Sequence, residues 1–355
     1  MPADAPCVAI AGATGAVGQE FLRLFEERDF PHGELRLLAS ARSAGTTTRY
    51  RDQDWTITEL TPESLKGVDI ALFSAGGGIS LEYGPIAVQA GATVIDNSSA
   101  FRMDPSTPLV VPEINGDLAD AFRTDDGRGT PGIIANPNCS TIIMLVPLQE
   151  IRRRFGIERI VASTYQAVSG AGAAAMRELE GQARTVLEGG EAMPEMFAEP
   201  CAFNVFSHDT AVDPQTGRNV EEQKMINETR KIWNDDAIRV SPTCVRVPVM
   251  RAHAESINIT LKTPASEAEI REALGATEGV RLVDGRAEND FPTSLKASGV
   301  DPVLVGRVRL DESQPIEGGK AIGVEMFVCG DQIRKGAALN AIQIAERVMG
   351  CVVRA

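Results

Sequence analysis

The sequence predicts an α/β fold in two domains, and two patterns indicate it. In the first 135 residues, short apolar stretches alternate with helical patterns, which is typical of a parallel sheet covered by helices on both faces. After Cys139 the apolar stretches lengthen and predict a mixed, largely antiparallel sheet with helices on one side. A chain of 355 residues is long enough to build both cores.

The individual elements follow from these stretches. The parallel sheet is predicted from apolar strands at residues 7–11, 34–40, 69–74 and 92–96, and the second sheet from strands at 159–168, 256–262, 303–310 and 321–328. The tail at 333–349 is rich in alanine and isoleucine and predicts a helix that packs back on the first domain. We therefore expect one domain from residues 1–138 plus 333–355, and a second domain from residues 139–332.

Composition limits the classes of partner. The 35 basic and 49 acidic side chains give a net charge of −14, which argues against nucleic acid because that ligand requires a basic surface. No apolar stretch approaches the roughly 18–20 residues that a membrane span needs. The first residues lack a basic region followed by an apolar core, so we expect no signal peptide and a cytoplasmic protein. The six scattered cysteines fit a reducing compartment better than a disulfide framework.

Three glycines follow the first strand and open the first helix: Gly12, Gly15 and Gly18. Glycines at this spacing let backbone N–H groups approach a pyrophosphate at a helix N-terminus. The spacing alone is weak evidence, because such triplets also occur by chance. Its strand–loop–helix context predicts a Rossmann-type dinucleotide-binding domain.

The residues after the second strand indicate which dinucleotide binds. NAD sites usually place an acidic residue there, which binds the ribose 2′-hydroxyl. Here the strand is followed by Ser40, Arg42 and Ser43, without an acid. An arginine flanked by hydroxyls suits a 2′-phosphate, which predicts NADP as the cofactor. The alternative is a solvated loop arginine.

Cys139 is the candidate nucleophile. It follows Asn136, Pro137 and Asn138, where the proline biases the preceding residue toward extended backbone, and it precedes an apolar run long enough for a helix. A cysteine at a helix N-terminus meets free N–H groups and the positive end of the helix dipole, which should lower its thiol pKa. The alternative is a small buried hydrophobe, which suits the other five cysteines better. No C-x-x-C pair indicates a metal or dithiol site.

Eight segments together resemble the aspartate-semialdehyde dehydrogenase family, in that family's order and across nearly the whole chain. They are residues 12–18, 96–102, 136–141, 165–172, 202–205, 221–225, 244–248 and 331–337. The resemblance implies that NADPH reduces L-aspartyl 4-phosphate to L-aspartate 4-semialdehyde with release of inorganic phosphate, in lysine, threonine and methionine biosynthesis. It also implies an NADP-binding first domain, a second domain for catalysis and dimerisation, and a homodimer, with a tetramer as the alternative.

The chemistry of that reaction suits the residues. A cysteine thiolate can displace phosphate first, which gives a thioester and divides one difficult step into two easier ones. Cys139 is the expected nucleophile, and the backbone N–H groups at the helix start, with Asn138 beside them, are candidate stabilisers of the oxyanion.

The chain offers three histidines for general acid–base catalysis. His32 is predicted at the surface, in a Pro-His-Gly turn, and His208 stays unassigned. By the family match, His253 is the acid–base residue. Relatives commonly carry glycine before this histidine, whereas this chain has Ala252, which would fit badly if the backbone there required a positive φ.

The resemblance also assigns the substrate contacts. It implies that Arg246 grips the α-carboxylate through its planar fork, that Gln166 orients the thioester, that Glu221 holds the ammonium, and that Arg102 and Lys224 bind the phosphate. The cofactor contacts that it implies are Gly12, Thr14, Gly15, Ala16, Val17, Ser40, Arg42, Ser43, Ser169, Gly170 and Gln332. Without the resemblance, Arg246 would be assigned to a structural ion pair, and Glu221 with Lys224 to a solvent-exposed pair on one helix face.

Two other functions stay open. N-acetyl-γ-glutamyl-phosphate reductase shares the fold and the cysteine–histidine pair, but its acylated amine carries no positive charge, whereas Glu221 favours a free ammonium. A non-catalytic binding relative would lack catalytic residues that are all present here, namely Cys139, Gln166, Arg246 and His253.

Overall fold

The computed structural model describes residues 5–351, and these form two compact units. The first unit comprises Met1–Asn138 and Ala337–Ala355, and the second comprises Cys139–Gly336. Within the described residues, no helix is long and apolar enough to cross a membrane. The functional division that the sequence predicts between a cofactor domain and a catalytic domain stays a prediction.

The first unit is built around a parallel sheet. Its strands are β1 (Val8–Ala11), β2 (Leu35–Ala39), β3 (Thr47–Tyr50), β4 (Gln53–Thr56), β5 (Thr58–Glu59), β6 (Ile70–Phe73), β7 (Thr93–Asp96) and β8 (Gly132–Ala135). The helices of the first unit that precede β8 are α1 (Ala16–Glu27), α2 (Gly77–Gln89), α3 (Pro112–Asn115) and α4 (Asp117–Asp120). The parallel sheet has the order β5-β2-β1-β6-β7-β8, and β3 pairs with β4 in a separate antiparallel hairpin.

The strand order of this sheet reverses at β1, which has β2 on one side and β6 on the other. Every residue of β1, β6 and β7 is buried, as expected for parallel strands that are covered on both faces. In open α/β sheets, ligands bind beyond the carboxyl ends of the strands at such a reversal. The glycine loop between β1 and α1 lies at this position.

The second unit carries the longer strands. They are β9 (Ile157–Gln166), β10 (Phe206–Ser207), β11 (Arg239–Arg246), β12 (His253–Ala265), β13 (Val280–Leu282), β14 (Val303–Leu310), β15 (Ile316–Glu317) and β16 (Lys320–Gly330). Its helices are α5 (Cys139–Phe155), α6 (Ala173–Leu187), α7 (Val220–Trp233), α8 (Glu267–Gly275) and α9 (Ser294–Ala297).

These strands form one mixed sheet in the order β10-β11-β9-β12-β16-β14-β13, with β15 paired to β16. The pairs β11–β9 and β13–β14 are parallel and the others are antiparallel, which confirms the predicted mixed, largely antiparallel sheet. Along β12, buried side chains alternate with more exposed ones from Glu255 to Lys262. Helix α5 packs against β12, whereas α7 packs against β11 and α8 against β13 and β14.

The predicted helix at 333–349 is in two pieces. A π-helical turn, Arg334–Ala338, precedes α10 (Leu339–Met349). The N–H of Gly336 donates to the carbonyl of Asp331, a bond that spans five residues and produces the wider turn. A Cβ at Gly336 would lie 2.8 Å from the Cβ of Cys139, so glycine lets this turn approach the start of α5.

Helix α10 completes the apolar core of the first unit. Its Leu339, Ile342 and Val348 side chains are buried in the same cluster as Phe21 and Phe25 of α1. The first unit is therefore assembled from two segments of chain that the entire second unit separates in sequence.

His32 is buried, so the prediction of a surface histidine is wrong. Only 1 % of the residue is exposed, and its Nε2 lies 2.7 Å from the Tyr50 hydroxyl. Its other ring nitrogen lies 3.1 Å from the Gly33 carbonyl. The Pro-His-Gly turn looked exposed because its cover, the β3 tyrosine, comes from a later segment. Burial lowers the pKa of His32, so the ring is a neutral structural side chain.

Candidate active site

The loop between β1 and α1 is shaped for close approach to a ligand. Gly12 has φ +90°, and a Cβ there would lie 2.3 Å from the carbonyl oxygen of Ser74. A Cβ at Gly18 would lie 2.3 Å from the carbonyl oxygen of Gly12. Side chains at these positions would collide with backbone, so glycine is required for this tight turn. The free N–H groups at the start of α1 can then meet a pyrophosphate.

A cleft of 430 Å³ opens beside this loop at the carboxyl ends of β1, β2 and β6. It is lined by Gly12, Thr14, Gly15, Ala39, Ser40, Ala41, Glu59, Leu60, Ser74, Ala75, Ile79 and Tyr83. The predicted Ala16 and Val17 are the first residues of α1. Arg42 is exposed in the turn that follows Ser40, where the N–H of Ser43 donates to the Ser40 carbonyl.

Glu59 is a cleft residue that the sequence did not indicate. It belongs to the two-residue strand β5, and it pairs with Ala39 at the end of β2. The sequence pattern that distinguishes NAD sites concerns only the residues directly after β2. Nothing in the local sequence shows that a strand twenty residues later adds a carboxylate to the same cleft.

Cys139 is the first residue of α5, as the sequence predicted, and it is only partly buried. Its Sγ lies 3.4 Å from Nε2 of His253. Burial raises the thiol pKa of the other five cysteines, which are Cys7, Cys201, Cys244, Cys329 and Cys351. Cys139 is therefore the cysteine that combines solvent access with a neighbouring imidazole.

His253 holds its proton on the nitrogen that faces this sulfur. Its Nδ1 accepts a hydrogen bond from the backbone N–H of Ala167 at 3.0 Å. A neutral imidazole that accepts at Nδ1 carries its proton on Nε2. Burial, and after it the positive charge of Arg246, lower the pKa of His253 to about 3. His253 is thus a neutral hydrogen-bond donor toward Cys139 near neutral pH.

The backbone before His253 is left-handed, because Ala252 has φ +72°. The Ala252 N–H donates to Oε1 of Gln332 at 2.8 Å, and the Gln332 amide donates in turn to the hydroxyl of Ser169. Alanine occupies a conformation that glycine adopts without strain, at a cost of roughly 1–2 kcal/mol. The Gln332 side chain compensates by fixing that backbone. The cofactor contacts predicted for Ser169, Gly170 and Gln332 stay predictions.

Strand register brings the predicted catalytic side chains of the second unit into one row. Arg246 of β11 is opposite Gln166 of β9, and the pairing of Ala254 with Tyr165 places His253 beside Gln166. These three side chains are buried on the inner face of the sheet. The row is a consequence of register, which sequence separation does not reveal.

Gln166 connects this row to α5 and α7. Its Nε2 donates to the hydroxyl of Ser140 at 2.7 Å and to Oε1 of Glu221 at 3.1 Å. Its Oε1 is buried and has no hydrogen-bond partner among the described residues. The amide therefore presents an acceptor to the site.

Glu221 and Lys224 share one face of α7, as predicted, with Nζ 3.1 Å from Oε2. The alternative of a solvent-exposed pair is wrong for Glu221, whose residue is 4 % exposed. An Asn219–Glu222 capping box fixes the start of α7 and so fixes the position of Glu221.

Arg102 and Asn138 belong to the first unit and are both buried. The guanidinium of Arg102 donates to the carbonyls of Asn136 and Asn97 at 2.9 and 2.8 Å. Backbone carbonyls thus hold its planar group in place. The predicted phosphate contact of Arg102 and the predicted oxyanion contact of Asn138 stay predictions.

The row of Arg246, Gln166 and His253 is called the catalytic row here. Two residues further along the same strands, on the same face, a second row contains Cys244, Thr164, Glu255 and Val328. Glu255 is fully buried, and neither carboxyl oxygen has a hydrogen-bond partner among the described residues. Burial raises the pKa of Glu255 well above its usual value. The folded protein therefore holds this side chain as a neutral acid.

Replacing Glu255 with glutamine should remove a pH-dependent cost. Because the pKa of Glu255 is raised in the folded protein, its burial costs no extra stability below about pH 4.5, where the unfolded carboxyl is also protonated. The cost in stability from Glu255 then grows as the pH rises. Between pH 5 and pH 7, the variant should therefore gain stability relative to wild type as the pH rises, at up to roughly 1.4 kcal/mol per pH unit. Urea unfolding at both pH values measures this gain.

The matched control is Glu317→Gln, because Glu317 is exposed on β15. It should leave the pH dependence of unfolding unchanged. The same pH dependence in Glu255→Gln and wild type would show that Glu255 is ionised in the folded protein.

Among residues 5–351, no group of three His, Cys, Asp or Glu side chains could hold a metal ion. The chemistry offered by the two units is a phosphate-binding glycine loop in one and a cysteine beside a neutral histidine in the other. This combination defines the class of dehydrogenases that use a cysteine nucleophile.

Comparison with known proteins identifies the family within that class. Residues 7–122 match the family model "Semialdehyde dehydrogenase, NAD binding domain", and residues 147–335 match "Semialdehyde dehydrogenase, dimerisation domain". The chain belongs to the aspartate-semialdehyde dehydrogenase family, which confirms the resemblance read from the sequence.

Individual relatives support this assignment. The chain is 48% identical to the aspartate-semialdehyde dehydrogenases of Synechocystis and of Aquifex aeolicus, over 96% of this chain and 96% of each relative. It also matches the crystal structure of aspartate semialdehyde dehydrogenase II from Vibrio cholerae complexed with ASA. That match has a TM-score of 0.90 at 45% identity and covers 98% of this chain and 99% of the other.

Proposed function

We propose that this protein reduces L-aspartyl 4-phosphate to L-aspartate 4-semialdehyde with NADPH and releases inorganic phosphate. The observation that carries the proposal is the 3.4 Å approach of His253 Nε2 to Cys139 Sγ at the start of α5, in a chain of this family. The product is an early intermediate of lysine, threonine and methionine biosynthesis.

The covalent step belongs to Cys139. Its sulfur bonds to the acyl carbon, the bond from that carbon to the phosphate oxygen breaks, and the phosphate takes the proton that the thiol has lost. The Nε2–H of His253 stabilises the sulfur anion before this attack and again when the sulfur leaves the acyl carbon. NADPH, when bound, supplies the hydride that converts the thioester into the aldehyde, and the thiolate that is expelled then takes a proton from solvent.

The substrate's charges match the side chains of the catalytic row. We assign the α-carboxylate to the guanidinium of Arg246 and the α-ammonium to the buried carboxylate of Glu221. The unpartnered Oε1 of Gln166 is an acceptor for the ammonium or for a group of the thioester. Lys224 and Arg102 supply positive charge for the phosphate. An acylated amine would leave the Glu221 carboxylate without a cation, which disfavours N-acetyl-γ-glutamyl phosphate.

The first unit suits NADP. Gly12, Thr14, Gly15 and the start of α1 receive the pyrophosphate, and the collisions that a Cβ would make at Gly12 support this fit. We assign the 2′-phosphate to Ser40, Arg42 and Ser43, which follow β2 at the edge of the cleft.

Replacing Arg42 with alanine should weaken NADP binding about 10- to 100-fold, because a charge-assisted hydrogen bond to phosphate is worth about 1.5–3 kcal/mol. The binding of NAD, which lacks the 2′-phosphate, should change less than about twofold. Fluorescence titration with NADPH and NADH measures both constants. Equal losses for the two cofactors would place Arg42 outside the 2′-phosphate site.

Activity tests the function directly. The purified protein should reduce NADP in the presence of L-aspartate semialdehyde and inorganic phosphate, and it should be inactive when phosphate is omitted. N-acetylglutamate semialdehyde, assayed in parallel, should react far more slowly. Preference for the acetylated substrate would support the reductase alternative.

The assembly is part of the same proposal. The match to a dimerisation domain supports self-association of the second unit, and we propose a homodimer that works in the cytoplasm. Light scattering of the purified protein distinguishes the dimer from a tetramer.

A further inference from the structure

The guanidinium of Arg246 is already occupied by a carboxylate of this chain. Both Nε and one terminal nitrogen donate to Oδ1 of Asp209, at 3.3 and 2.8 Å. The same terminal nitrogen lies 3.0 Å from Nε2 of His208, and the other donates to the Ala167 carbonyl at 2.9 Å. The ring of Phe197 lies below the group, 5.2 Å from its central carbon.

Most N–H donors of the Arg246 guanidinium are already used within this chain, which limits the hydrogen bonds that it can make to a substrate. A guanidinium has five N–H groups, and these contacts use four of them. The remaining N–H belongs to the nitrogen that also contacts Ala167, and this nitrogen lies on the side of Gly170 and His253. One free N–H cannot form two parallel hydrogen bonds with a carboxylate. A bidentate substrate contact therefore requires that Asp209 leave.

We propose that Asp209 is an exchangeable counter-ion of Arg246, which the carboxylate of the substrate displaces on binding. This inference rests on the proposed function, because it takes the α-carboxylate as the group that Arg246 receives. Asp209 is then a positioning residue that aligns Arg246 before the substrate binds and competes with the substrate for it.

The surroundings of Asp209 allow the exchange. Its side chain is 25 % exposed, whereas that of Arg246 is 3 % exposed, so the aspartate has access to water and the arginine does not. Asp209 lies in a bend after β10, between His208, whose N–H donates to the Cys244 carbonyl, and the Val212–Asn219 bridge. The bend is anchored at both ends, so rotation of one side chain is sufficient to release the guanidinium.

His208 keeps Arg246 in place during the exchange. Its Nε2 accepts from Arg246, and its Nδ1 lies 3.3 Å from the Thr210 hydroxyl. Burial lowers the pKa of His208, so the ring stays a neutral acceptor. The contacts to His208 and Ala167 are to neutral groups, and Asp209 is the negatively charged partner of Arg246 among the described residues.

Charge removal at this position tests the exchange. Asp209→Asn keeps an oxygen that can accept from Arg246 but carries no charge, so it should compete less well with a carboxylate. In the phosphate-dependent oxidation assay, the KM for L-aspartate semialdehyde should fall about three- to tenfold, and kcat/KM should rise. The KM for 3-aminopropanal, which has the amine and the aldehyde but no carboxylate, should stay the same.

Two further variants complete the experiment. Asp209→Glu restores the negative charge and should return the KM toward the wild-type value. Asp213→Asn removes an exposed charge from the same segment and should leave both KM values unchanged.

A higher or unchanged KM for L-aspartate semialdehyde in Asp209→Asn would overturn the proposal, because it would show that Asp209 assists Arg246 throughout the reaction. An equal fall for 3-aminopropanal would also overturn it, since that ligand has no group for Arg246. Failure of the wild-type protein to oxidise L-aspartate semialdehyde would instead contradict the proposed function.

Discussion

Replacing Cys139 with alanine should lower kcat by about 10⁴-fold or more, because the acyl group then has no sulfur to accept it. The affinity for NADPH should change less than about twofold, since the glycine loop and the cleft lie in the first unit. Steady-state rates and a fluorescence titration with NADPH measure the two effects on the same preparation.

Cys351→Ala is the matched control, because Cys351 is also a partly buried free cysteine. It should keep wild-type activity and wild-type cofactor affinity. Substantial turnover by Cys139→Ala would eliminate the covalent mechanism. A simultaneous loss of NADPH binding would show that the substitution damages the fold, and Cys139→Ser would then replace it as the test.

Replacing His253 with alanine should lower kcat by about 10²–10³-fold, which is the usual loss when one hydrogen-bond donor to a negative charge at the reacting centre is removed. The factor should be the same at every pH between about 5.5 and 8. The pKa of about 3 means that His253 is already neutral at pH 5.5, so raising the pH does not change its charge. Rate profiles of both proteins across this range measure the factor.

A factor that changes with a midpoint near pH 6.5 would contradict this expectation. It would show that the imidazole becomes charged in the working enzyme and that its Nδ1 gives up the hydrogen bond from Ala167. The comparison therefore tests the tautomer as well as the importance of the residue.

Features with a local cause could be predicted from the sequence. The glycine loop needs close backbone approach, and the start of α5 at Cys139 follows from a proline-fixed segment before an apolar run. The mixed second sheet was predicted from strand length. The family resemblance added Gln166, Glu221 and Arg246, whose proximity depends on strand register and helix packing.

Features that depend on residues far away in the sequence could not be predicted from the local pattern. His32 is buried by Tyr50, Glu59 reaches the cleft through a two-residue strand, and Asp209 meets Arg246 only because β10 pairs with β11. Glu255 has no local sign of burial, since its position on the inner face depends on pairing with β9 and β16. The alanine at position 252 indicated from the sequence that the backbone before His253 would be strained if its φ were positive. Only the structure, with φ +72° at Ala252, shows that it is positive.

The placement of α10 in the core of the first unit has a consequence for synthesis on the ribosome. Residues 5–138 emerge before the second unit but cannot bury the surface that α10 covers until residues 339–349 are translated. At about 5–20 residues per second, translation of the intervening unit takes roughly 10–40 s. During that time the nascent protein exposes an apolar groove, so its yield in a cell should depend on the chaperones that meet it there.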